Sequence, residues 1–135
     1  MLHSAPLTSI IELLLGVKCF PFQSLAFSKA SEQTVHSDSI HMTTYPMGYL
    51  IGVWIACQDV VAGSGELNYW PGTHRLPYVL SDAFDLDVAH DFNGVDHDGY
   101  FEKYIPRLEA QIADGGFEEK RFLARKGDAI FWHAN

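Results

Sequence analysis

The sequence has little positive charge, few cysteines and no long apolar run, and each shortage removes a class of function. Nine Lys and Arg stand against seventeen Asp and Glu, a formal charge of −8. Phosphate backbones and anionic lipids attract the opposite field, so neither nucleic acid nor a membrane surface is expected as a partner. The two cysteines, Cys19 and Cys57, sit in apolar surroundings without C-x-x-C spacing. They read as buried free thiols rather than as a disulfide or a zinc site, which suits a reducing, cytoplasmic location. The apolar run from Ile10 to Leu15 contains Glu12 and is far shorter than the roughly 20 residues that span a bilayer. It also lacks the basic flank and cleavage site of a targeting segment. Internal repeats and low-complexity tracts are missing too, so a single domain over residues 1–135 is expected.

What is present favours a packed domain: 47% of the residues are hydrophobic and 13% aromatic, enough to bury a sizeable core. Ser9 to Glu12 has the form of a capping box opening a short amphipathic helix that Gly16 would end. Strands are expected at 18–27, 33–38, 49–57, 67–70, 117–123 and 129–133, with Phe20, Phe22 and Phe27 in the core. Tyr100, Phe101, Tyr104, Ile105, Leu108 and Ile112 recur at helical spacing, with Pro106 at a first turn or a kink. Residues 82–98 are acidic and read as a surface loop. Short strands between Gly- and Pro-rich turns predict a mainly β fold with a few helices, a barrel or a two-sheet jelly roll.

His36 and Asp38 are two apart, so on a strand both side chains would leave one face, with Cα atoms roughly 7 Å apart. Both could then reach one metal ion, as in the two-histidine, one-carboxylate triads of non-haem iron oxygenases. Alone, the pair is a weak signal and reads more readily as a polar strand end than as a metal site. His41 would fall on the opposite strand face, His74 would cap a turn, and Gln33 would support the metal shell or pair with a neighbouring strand. His90 and His97, amid Asp91, Asp96 and Asp98, fit a solvated acidic loop better than a cation site.

The order and spacing of His36-Ser37-Asp38, Tyr45-Pro46-Met47-Gly48, Gly52-Val53-Trp54, Gly65-Glu66-Leu67, Pro71-Gly72-Thr73-His74 and Gly127-Asp128-Ala129-Ile130-Phe131-Trp132-His133 resemble the phytanoyl-CoA dioxygenase family. The resemblance implies a double-stranded β-helix of cupin type that binds Fe(II) and 2-oxoglutarate and hydroxylates a small organic metabolite, releasing succinate. By it, His36 and Asp38 are the first two iron ligands and Trp54 lines the co-substrate pocket. The third ligand, a histidine, is expected beyond Asn135, and the domain is expected to be incomplete at both ends. Asp38 favours hydroxylation, because halogenating members of the family carry a small residue in its place.

Two other readings stay open at this point. One is a catalytically incomplete jelly-roll fragment that self-associates through an open sheet edge or binds a small ligand. The other is a cupin-like metal enzyme in which His133 itself is the third ligand beside His36 and Asp38.

Overall fold

A computed structural model describes residues 4–28, 33–84 and 99–135. Contacts divide the chain into two compact units, Met1–Ala30 and Ser31–Asn135. In the first unit, helix α1 (Ala5–Leu15) begins earlier than the capping-box reading placed it. Pro6, with its fixed φ and missing N–H, suits the first turn, and Ser9 lies inside the helix. Glu12 is used differently as well: it accepts from Lys18 Nζ at 2.9 Å and from the Cys19 N–H at 3.4 Å. Gly16, at φ 71°, ends α1 as expected and donates its N–H to the Glu12 carbonyl. No α1 side chain is buried, and Phe20, Phe22 and Phe27 are exposed. The stretch after α1 forms no strand, so no sheet face turns these rings inward, and the core assignment is corrected. Cys57 is likewise exposed and Cys19 half-buried; both are free thiols.

The second unit contains few helices and a few antiparallel strands. Strand β1 (Ile51–Ile55) pairs with β4 (Ala129–His133), in a register running from Ile51 opposite His133 to Ile55 opposite Ala129. Strand β2 (Leu67–Tyr69) pairs with β3 (Lys120–Phe122). These pairs are nested, β2 and β3 lying between β1 and β4 in sequence, and each pair forms a separate sheet. Trp54 on β1 and Phe122 on β3 meet edge to face at 6.0 Å, joining the two sheets.

Helix α2 (Ile105–Asp114) is entered through one π-helical turn, Tyr100–Tyr104, and carries Pro106 in its first turn. The buried core gathers Ile40, Val79, Tyr104 and Ile105, with Val35, Tyr100 and Leu108 packed on it. The expected strand over 33–38 does not form. Residues 33–37 are irregular, and Asp38–Ile40 make a 3-10 turn capped by the Ser37 hydroxyl, which accepts from the Ser39 N–H. Much of the expected acidic loop, with His90 and His97, lies outside the described residues. Among the described residues, no helix is long and apolar enough to cross a membrane.

Candidate metal centre

His36 and Asp38 converge without a strand. Long-range bonds hold the segment between them: the Ser37 N–H donates to the Tyr104 hydroxyl at 2.8 Å, and the Ser37 hydroxyl donates to the Ala134 carbonyl at 2.8 Å. The Ser39 N–H also reaches the Ala134 carbonyl, at 3.0 Å. The turn is thus fastened to the end of β4 on one side and to the π-helical turn on the other. His36 and Asp38 flank this fastened serine, and their side chains meet with Nε2 and Oδ1 3.5 Å apart.

The remaining polar atom of each side chain is occupied. His36 Nδ1 lies 2.8 Å from the Thr34 carbonyl, which can only accept, so Nδ1 carries its hydrogen and Nε2 faces Asp38. The Trp132 indole N–H donates to Asp38 Oδ2 at 2.8 Å, leaving Oδ1 toward His36. Once Nε2 gives up its proton, that imidazole nitrogen and the Asp38 oxygen facing it are a donor set suited to a divalent transition metal, and both groups carry the outer-shell bonds that orient such ligands. Among the described residues, no group of three or more His, Cys, Asp or Glu gathers to hold a metal ion.

The electrostatics fit a coupled pair. The hydrogen bond to Asp38 raises the His36 imidazole above its ordinary value, against the opposing effect of burial. Burial pushes the Asp38 carboxyl up, but the bonds from His36 and Trp132 outweigh it and hold the group below its usual range. In the metal-free chain the His36 contribution to stability is therefore fully present below the ordinary histidine value of 6.5 and fades as pH rises through the elevated folded value. The Asp38 contribution is present above the ordinary 3.8 and is lost as pH falls through the depressed folded value. The pair contributes most between those limits. The difference in thermal midpoint between wild type and Asp38→Asn is expected to peak there and shrink toward alkaline pH; a difference independent of pH would refute the coupling.

The other candidate residues are placed as follows. Trp54 shares one face of the β1–β4 sheet with Gly52, Ile130 and Trp132, the same face whose Trp132 reaches Asp38. His133, one residue on from Trp132, takes the opposite face. There its Nε2 lies 3.3 Å from the Gly48 carbonyl and its Nδ1 accepts from the Asn135 N–H at 3.1 Å, so both nitrogens are engaged with backbone. Its ring neighbours are His74 and Tyr78, and it is not brought to His36 and Asp38. His41 departs from expectation: because its segment turns, its ring stands edge-on to His36 at 5.9 Å and stacks on Tyr100. Burial, then the charge of His36, lowers the His41 imidazole. Trp132, Gly52, Tyr100 and Tyr104 were not singled out as site residues from sequence. The first two lie in motif segments that could have flagged them; the tyrosines carried only a helical period.

The chain is 32% identical over 124 residues to phytanoyl-CoA dioxygenase domain-containing protein 1 of Danio rerio, an alignment covering 84% of this chain and 40% of the relative. It therefore spans less than half the length of that curated protein. No solved structure matches significantly. The family model for phytanoyl-CoA dioxygenase matches residues 14–135, nearly the whole sequence, and the chain belongs to that family.

Proposed function

We propose that this chain contributes to the active site of an Fe(II)- and 2-oxoglutarate-dependent dioxygenase that hydroxylates a small organic metabolite. The observation that carries the reading is the pairing of His36 Nε2 and Asp38 Oδ1 at 3.5 Å, each group's second polar atom being held elsewhere. Iron bound there would supply dioxygen activation coupled to decarboxylation of 2-oxoglutarate to succinate. The chain's own part is to present these two donors pre-oriented, so that little side-chain ordering remains when metal arrives. Trp54, on the sheet face shared with Trp132, would supply apolar wall beside the co-substrate and help exclude water. The nested pairs β1–β4 and β2–β3, each in its own sheet with Trp54 against Phe122 between them, follow the pattern of a long hairpin rolled into two layers. That pattern supports the jelly-roll, double-stranded β-helix reading.

Succinate release from 2-oxoglutarate tests the proposal. It is expected to require added Fe(II) and to stop when a chelator removes the metal. Turnover that persists without iron would sink the reading.

A further inference from the structure

We infer that Trp132 is a positioning residue for the Asp38 carboxylate, and that Gly52 is the seat that lets it act. The inference rests on the iron-site reading and extends it to two residues that donate nothing to a metal. Gly52 and Trp132 are directly opposed in the β1–β4 ladder, and the indole lies across the glycine. A Cβ at position 52 would overlap Cε2 and Cζ2 of the ring and stand 2.8 Å from Nε1. Any side chain there must therefore lift or tilt the indole, and a strand glycine covered by a cross-strand aromatic is the arrangement that avoids it.

The position of the ring matters because its N–H ends 2.8 Å from Asp38 Oδ2. An aspartate carboxylate rotates in a broad, nearly two-fold well, so its own torsion does not choose which oxygen faces His36. A charge-assisted bond to one oxygen makes that choice. With Oδ2 held by Trp132, Oδ1 is the oxygen presented beside His36 Nε2. Removal of an outer-shell partner of a ligating carboxylate typically weakens metal binding by roughly 10- to 100-fold.

Two variants separate chemistry from placement. Trp132→Phe keeps an aromatic ring over Gly52 and deletes the donor; Gly52→Ala keeps the donor and displaces it. Each is expected to weaken cobalt(II) binding by roughly 10- to 100-fold in a calorimetric titration. Trp132→Phe should lower the thermal midpoint by no more than the loss of one hydrogen bond accounts for, and the double variant should lose little cobalt(II) affinity beyond either single one, because both act through that bond. In the metal-free protein, the Trp132 indole N–H resonance, assigned by its disappearance in Trp132→Phe, should move in Asp38→Ala. Wild-type cobalt(II) affinity in Trp132→Phe, or an indole resonance indifferent to Asp38→Ala, overturns the inference. His36→Ala distinguishes the two ideas: undiminished cobalt(II) binding in that variant overturns the iron-site reading, while the indole resonance still decides whether Trp132 positions Asp38.

Discussion

Replacing His36 by alanine is expected to reduce divalent-metal affinity by more than the roughly 10- to 100-fold that loss of an outer-shell partner costs, because a donor atom itself is removed. Asp38→Ala should do the same and also withdraw the negative charge that offsets the cation. Asp38→Asn is the finer variant. It keeps the size of the side chain and an oxygen able to accept from Trp132 Nε1, but presents a neutral group to the metal. The expected order of loss is therefore Asp38→Ala, then Asp38→Asn, then the positioning variants at Trp132 and Gly52. The fold should tolerate these changes better than a change in the core, because the turn that carries the two ligands is fastened through Ser37 to Tyr104 and Ala134 and not through their side chains. Metal affinity and thermal midpoint, measured on the same samples, check this. If the His36→Ala and Asp38→Ala chains bound metal like the wild type, the ion would have to sit elsewhere.

The contrast between large effects on metal and small effects on the fold follows from how the site is built, and the same construction explains what the sequence could show. Strand β4 was legible to the residue, because an apolar run after Gly127-Asp128 has only one local interpretation. Strand β1 was legible for the same reason, and the motif order identified the family. The geometry of the His36–Asp38 segment was not legible. Its conformation depends on the bonds of Ser37 to Tyr104 and Ala134, which lie 67 and 97 residues away. Alternation of residue types over six positions carries no trace of partners that distant, and the local pattern alone favours a strand. The error propagated to His41, which a strand would turn away from His36 and the actual turn brings beside it. Exposure of Phe20, Phe22 and Phe27 was missed for a related reason: aromatic content signals burial only where an element presents one face to a core.

Tyr104 is the residue through which the fold and the candidate site are most tightly linked, and its replacement should carry the largest cost in stability. Its side chain is fully buried, with Ile40, Val79 and Ile105 around it and its ring tilted against Tyr100 at 5.1 Å. Its hydroxyl accepts from the Ser37 N–H at 2.8 Å, and burial pushes the phenol up, so it stays neutral at any pH the protein meets. Tyr104→Phe removes only the hydroxyl and strands a buried backbone donor, a loss of about 1–3 kcal/mol. Tyr104→Ala adds an empty ring site, which by analogy with other large-to-small core changes costs about 3–5 kcal/mol. Set against a total stability of about 5–15 kcal/mol for a typical domain, the alanine variant is expected to lose a large share of its stability and to show a much lower denaturant midpoint than the phenylalanine variant. The phenylalanine variant should fold with a lower denaturant midpoint. It should also bind metal more weakly than the wild type, because the freed Ser37 backbone no longer fixes the two ligands that flank it. Denaturant titration and metal titration of Tyr104→Phe read these two consequences separately. A variant as stable as the wild type would show that the bond to Ser37 contributes nothing; one that is less stable yet binds metal with full affinity would show that Tyr104 serves the core alone.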